Sequence, residues 1–185
     1  MAELPTIRTE RLVLRRFTLG DAADVEALAG DREIAANTLS MPHPYEDGMA
    51  EEWIGAHQAA WDEGKELTLA LVGQAEGQLI GAMSLMLTQE HSRAELGYWI
   101  GRSYWGQGYC TEAAQALVDY GFAQLGLNRI EAWHFAENPA SGRVMQKVGM
   151  VHEGQMRQRA QRWGEFKDLD FYAVLRSDWE EDGSG

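Results

Sequence analysis

Tyr104-Trp105-Gly106-Gln107-Gly108-Tyr109-Cys110-Thr111-Glu112-Ala113 is the stretch from which the rest of the chain can be read. It holds two glycines one residue apart, and its character changes on either side. Upstream, residues 93 to 100 read as a strand. Downstream, Ala114, Leu117, Val118, Gly121 and Phe122 recur at helical spacing as far as the stop at Gly126. A glycine loop between a strand and a helix suits a phosphate group. The first N–H groups of a helix have no partners in the helix, the helix dipole adds positive charge there, and glycine lets the backbone come close. The plain alternative is a tight strand-to-helix turn, and two glycines do not decide between them. The pattern is not a Walker loop, because no Gly-Lys-Ser/Thr follows. It is not the dinucleotide fingerprint either, because Thr111 stands at the third glycine position.

Residues 129 to 135 read as a further strand, parallel to the one before the helix and joined to it by a right-handed crossover. Asn138-Pro139 then supplies a cap and a first-position proline for a short helix that stops at Gly149. Two strands, roughly 151 to 161 and 166 to 175, turn at Trp163-Gly164-Glu165. Toward the N-terminus, 67 to 72, 78 to 87 and 93 to 100 form an antiparallel meander. Before it come a helix over about 49 to 62 and a loop over 37 to 47 marked by Pro42, Pro44 and Asp47. A first helix begins at Thr18, with Asp21 serving its first turn, after a strand over 11 to 17.

The chain has 185 residues, enough for one domain, read here as 1–179 with a solvated tail at 180–185. No run approaches the roughly 20 apolar residues that span a bilayer. The opening Met1-Ala2-Glu3-Leu4-Pro5 has no secretory pattern, and the one cysteine, Cys110, has no partner for an internal disulfide. A cytoplasmic location and no membrane partner are expected. Net charge is −13, which disfavours nucleic acid as a partner and favours cationic ligands such as amines, although acidity can also serve solubility alone. The five histidines lack metal-ligand spacing, so no metal is expected.

Gly97-Tyr98-Trp99-Ile100, the glycine loop, Asn138-Pro139-Ala140-Ser141 and Lys147-Val148-Gly149 together resemble the GNAT N-acetyltransferases. The Rim-type branch, which includes ribosomal-protein N-terminal acetyltransferases, is the nearest likeness. The opening Arg8-Thr9-Glu10-Arg11-Leu12-Val13-Leu14-Arg15 and the close Leu175-Arg176-Ser177-Asp178-Trp179 resemble it too. The resemblance implies a mixed α/β fold whose mostly antiparallel sheet splays between its fourth and fifth strands, with acetyl-CoA as cosubstrate in the cleft. The backbone of Tyr98, Trp99 and Ile100 would pair with the pantetheine arm and the acetyl carbonyl. The loop residues Trp105, Gly106, Gln107, Gly108, Tyr109 and Cys110 would hold the diphosphate. Asn138 would bond the pantetheine, and Ser141 would face the sulfur.

Three positions depart from the pattern. Ser103 stands where the family has Gln or Arg, Cys110 replaces an alanine, and Met145 occupies the place of a proton-donating tyrosine, which excludes that acid here. Direct attack of an amine on a thioester then needs a base, an oxyanion donor and help for the leaving thiolate. Glu95 is the candidate base, against an ordinary exposed strand glutamate; Ser141 is the candidate acid, against a serine that only bonds backbone. His134 is a second candidate base, while His57 and Cys110 read as packing. The acceptor is a protein N-terminal amine or a small amine (polyamine, amino acid, aminoglycoside), walled by the 37–47 loop and the 162–166 turn. A non-catalytic CoA-binding module is the reading from another class. The chain fits a monomer or a homodimer.

Overall fold

Glu66–Gly73 is a strand buried on both faces, which identifies the middle of the sheet. Leu67, Leu69 and Leu71 point into one hydrophobic cluster, and Ala70 and Val72 into another on the opposite side. The computed structural model describes residues 3–181 and 183. Around that strand the chain builds one sheet of β1 (Ile7–Arg8), β2 (Leu12–Arg15), β3 (Glu66–Gly73), β4 (Leu79–Thr88), β5 (Arg93–Ile100), β6 (Arg129–Phe135), β7 (Val151–Arg162) and β8 (Glu165–Leu175). Their spatial order is β1-β2-β3-β4-β5-β6-β8-β7. Among the described residues only the β5–β6 pairing is parallel.

The helices are α1 (Ala22–Ala29), α2 (Arg32–Ala36), α3 (Met49–Asp62), α4 (Tyr109–Ala123), α5 (Pro139–Lys147) and α6 (Arg176–Glu181). Helices α4 and α5 bury Leu117, Val118, Phe122 and Met145 in the larger cluster, with Val148 just after α5 and Trp179 of α6. Helices α1 and α3 bury Val25, Ala29, Ala50 and Ile54 in the other. Thr18 and Asp21 form a reciprocal capping box ahead of α1. The hairpin turn at Trp163 and Gly164 has φ of 50° and 85°, the pair of positive values that a two-residue turn between twisted strands requires.

The mostly antiparallel, splayed sheet is as expected, but the two-residue β1 shifts the count, so the splay lies between β5 and β6. The first strand is shorter than 11 to 17. Helices α2 and α6 were not expected. Glu180 and Glu181, read as the start of a tail, are exposed residues of α6; residues 182, 184 and 185 lie outside the described residues. Among the described residues no helix is long and apolar enough to cross a membrane.

Candidate active site

The β5–β6 ladder consists of Arg93 with Arg129, Ala94 with Ile130 and Glu95 with Glu131, and there it ends. Beyond Glu95 the two strands diverge and open a cleft. On its other side β5 stays paired with β4 up to Ile100, and Gly101 donates to the Ile80 carbonyl at 2.8 Å. Backbone direction alternates along an antiparallel strand. The amide groups of Trp99 therefore turn to β4, with those of Gly101, while those of Tyr98 and Ile100 face the cleft.

The glycine loop closes one end of this cleft. Gly106 and Gly108 have φ of 72° and 83°, where a side chain would be strained. The first helical bond of α4 runs from Glu112 N–H to the Gly108 carbonyl at 3.1 Å, so the N–H groups before it lie outside the helix ladder. The loop is built from its own side chains. Trp105 Nε1 donates to the Ile100 carbonyl at 2.7 Å, and Gln107 Nε2 to the Ser103 carbonyl at 2.9 Å. What remains for an anion is backbone.

A clamp from the turn between β1 and β2 holds the same loop. Glu112 Oε1 accepts from Thr9 Oγ1 at 2.6 Å and Arg11 N at 2.8 Å, and Oε2 accepts from Arg11 Nε at 2.7 Å. Arg11 Nη1 donates to the Gln107 carbonyl at 2.9 Å, and its guanidinium lies 4.5 Å from the Tyr109 ring centre. These bonds hold the Glu112 carboxyl below the usual carboxylate range, against the opposing effect of burial.

Helix α5 forms the opposite wall. Asn138 caps it, its Oδ1 accepting from Ser141 N at 3.4 Å, which leaves Nδ2 outside the cap. The Ser141 hydroxyl lies 2.7 Å from the Tyr98 hydroxyl, which crosses from β5. Burial pushes the Tyr98 phenol well up, with the neighbouring Cys110 adding to it. Burial also pushes the Cys110 thiol up to about 12, so it is a packed neutral thiol. Met145 is fully buried beneath α5.

Glu95 sits on the other face of the sheet. Ala94, Leu96 and Ile100 point to the cluster under α4 and α5, whereas Trp99 packs on the α1–α3 side. By alternation Glu95 and Gly97 share the face of Trp99. Glu95 Oε1 accepts from Trp133 Nε1 at 2.7 Å, a bond across the cleft just past the end of the ladder. Burial raises the Glu95 carboxyl above the usual range; the Trp133 bond opposes this, Glu131 adds to it, and Arg93 offsets it. Arg93 and Arg129 both pair with Glu131, and Arg129 also pairs with Glu153, which ties up the neighbouring charges.

A roof lies over one end of that face. Arg162, the last residue of β7, donates to the carbonyls of Ala35 at 2.7 Å, Leu39 at 3.1 Å and Met41 at 2.6 Å. The Trp163 ring centre lies 5.1 Å from the Arg32 guanidinium, 4.7 Å from that of Arg162 and 5.8 Å from the His43 ring. The expected acceptor walls, the 37–47 loop and the 162–166 turn, are thus joined to each other.

The structure brings together Tyr98, Ile100, the loop, Asn138 and Ser141 on one side of the cleft and Glu95 on the other. His134 is not among them. Its ring is buried on the α5 side, with Nδ1 2.7 Å from the Phe135 carbonyl, stacked on Tyr172 and pressed against Gly142. Sequence reasoning missed Trp133, Arg11, Glu112 and Arg162. Only Glu112, an acid in a helix first turn, carries any local signal. Among the described residues no group of three or more His, Cys, Asp or Glu is placed to hold a metal.

Comparison with known proteins agrees with this geometry. The family described as "Acetyltransferase (GNAT) domain" matches residues 11–151. The N-acetyltransferase p20 of Bacillus licheniformis is 32% identical over 177 residues, which cover 95% of this chain and 99% of that protein. The ribosomal-protein-serine acetyltransferase of Escherichia coli is 34% identical over 102 residues, covering 54% of this chain and 56% of that one. The crystal structure of a GNAT-family acetyltransferase from Bacillus anthracis superposes with a TM-score of 0.84 at 26% identity, covering 94% and 99% of the two chains. The chain belongs to the GNAT acetyltransferases, and it is an N-acetyltransferase.

Proposed function

Starting from that membership, we propose that the protein transfers acetyl from acetyl-CoA directly to a primary amine in a ternary complex, and that the amine is the N-terminus of a protein. The observation that carries the reading is the unpaired stretch of β5. It lies between a carboxylate whose pKa is raised by burial, on one face, and a pair of hydroxyls on the other. An extended pantetheine arm suits the free amide groups of Tyr98 and the spare Nδ2 of Asn138, while the Ile100 N–H, whose own carbonyl is taken by Trp105, is left for the acetyl carbonyl. The N–H groups between Trp105 and Cys110 suit the diphosphate. These residues fit acetyl-CoA as cosubstrate.

Each group then has one task. Glu95 takes a proton from the ammonium, directly or through a water. The freed amine attacks the thioester carbon, and the Ile100 N–H donates to the oxyanion. The adduct nitrogen gives its second proton to solvent, and the C–S bond breaks with its electron pair on sulfur, beside Ser141. Most of the acceleration comes from holding amine and thioester together. The acceptor assignment, and with it the Rim-type reading, is supported by the Escherichia coli relative, whose name gives a ribosomal protein as its target.

The test incubates the protein with acetyl-CoA and a panel of peptides, polyamines, amino acids and aminoglycosides, and measures free CoA thiol. Peptides with a free N-terminus are expected to release thiol, and Glu95→Gln is expected to lower kcat by roughly 10²–10⁴-fold. Release with small amines alone would refute the protein acceptor while leaving the transfer intact. Tight acetyl-CoA binding with no release for any acceptor would favour a non-catalytic CoA-binding module.

A further inference from the structure

The place that the family resemblance assigns to a proton-donating tyrosine holds Met145, buried in the core. A tyrosine nevertheless reaches the same cleft from the opposite wall. Tyr98 projects from β5, and its hydroxyl lies 2.7 Å from Ser141 Oγ and 3.3 Å from the Ser141 carbonyl. The geometry points to Tyr98 as the positioning residue that aims the Ser141 hydroxyl at the leaving sulfur. This rests on the acetyl transfer proposed above and deepens it.

The argument is one of counting protons. Each hydroxyl has one hydrogen to give and two lone pairs to receive. The Ser141 N–H is committed to the Asn138 cap, which fixes the backbone that carries the hydroxyl. If Tyr98 donates to Ser141 Oγ, the serine hydrogen is left for an acceptor in the cleft, and the donor bond it receives makes that hydrogen a stronger donor. A tyrosine that could ionise would not hold this polarity, since a phenolate only accepts. Burial beside the neutral Cys110 thiol keeps the phenol protonated. Tyr98 therefore keeps the hydrogen that this polarity requires.

The same burial disfavours complete transfer from Tyr98 to sulfur, because a weakly acidic phenol would be giving its proton to the conjugate base of a stronger acid. The step balances without it. The C–S bonding pair goes to sulfur, and the thiolate is held by the Ser141 hydrogen and takes its proton from solvent. Of the two protons that the ammonium nitrogen loses, one leaves through Glu95 before attack and the other leaves the tetrahedral adduct, both for solvent. Tyr98 and Ser141 end as they began.

The test titrates the thiol of CoA bound to the protein by its ultraviolet thiolate absorbance, for wild type, Tyr98→Phe, Ser141→Ala and the double variant, alongside kcat and KM for acetyl-CoA. In wild type the bound thiol is expected to be more acidic than in free CoA. Tyr98→Phe is expected to raise its pKa and lower kcat by about tenfold with KM for acetyl-CoA unchanged, the size of one lost hydrogen bond. In the Ser141→Ala background the same change is expected to cost nothing more. Site-specific 3-fluorotyrosine at position 98 keeps the shape and makes a stronger donor, so the thiol is expected to become more acidic still; this arm stands even if Tyr98→Phe folds poorly. A bound thiol indifferent to both Tyr98 replacements, or effects of Tyr98→Phe and Ser141→Ala that simply add, would overturn the inference and leave the acetyl transfer standing. Failure of wild type to bind CoA would instead overturn the proposed function, and this inference with it.

Discussion

Both ring nitrogens of His57 are buried without a hydrogen-bond partner, its ring set edge-on to Trp53 at 4.4 Å and near Phe17 at 5.4 Å. Burial pushes its pKa down to about 4 from an ordinary value near 6.5. The folded state thus binds fewer protons than the unfolded state between those values. Its contribution is fully present above pH 6.5 and is lost as pH falls toward 4, up to about 3 kcal/mol at roughly 1.4 kcal/mol per unit. Chemical denaturation from pH 7 to pH 4 should show this loss, and His57→Leu should flatten it. Glu95 has the opposite shift. As a base it must be ionised, so kcat/KM should fall as pH drops, with its limb above the ordinary carboxylate range, and Glu95→Gln should abolish that limb. At Gly142 a Cβ would lie 2.6 Å from His134 Nε2, in a place where neither ring nor helix can move away cheaply. Gly142→Ala should cost about 1–3 kcal/mol in an unfolding titration.

Among the elements, α4 and its loop were the most legible, because periodicity and glycine spacing are local. Strand β6 was read with its observed bounds, and Asn138-Pro139 gave the start of α5. Strand β1 and helices α2 and α6 escaped because two to six residues are too few to show a period. The site divides the same way. Its loop, cap and serine could be read, whereas Glu95 takes its partner Trp133 from 38 residues away, Glu112 reaches Arg11 across 101 residues, and Arg162 reaches Ala35 across 127. No local pattern encodes such pairs. They also separate two substrates experimentally. Arg11→Ala loosens the glycine loop and should raise KM for acetyl-CoA with little effect on the acceptor. Arg162→Ala frees the roof and should raise the acceptor's KM while leaving that for acetyl-CoA unchanged. Steady-state kinetics with each substrate varied in turn checks both.

For the whole molecule, a net charge of −13 surrounds a site that takes up a cationic amine. Acceptor kcat/KM should therefore fall as salt rises, and more steeply for a basic peptide than for a neutral one. The sheet itself has a consequence that belongs to substrate binding and folding together. Three parallel residue pairs are the whole strand ladder between a half-sheet of β1 to β5 and a half-sheet of β6, β8 and β7. Beyond that ladder the protein is a half-closed zip, and an extended cosubstrate along Tyr98 and Ile100 would supply the missing teeth. Amide protons of those residues should then exchange readily with solvent in the free protein and slow markedly once CoA is bound. The ligand would serve as a removable ninth strand, completing the architecture on each turnover and dismantling it on release.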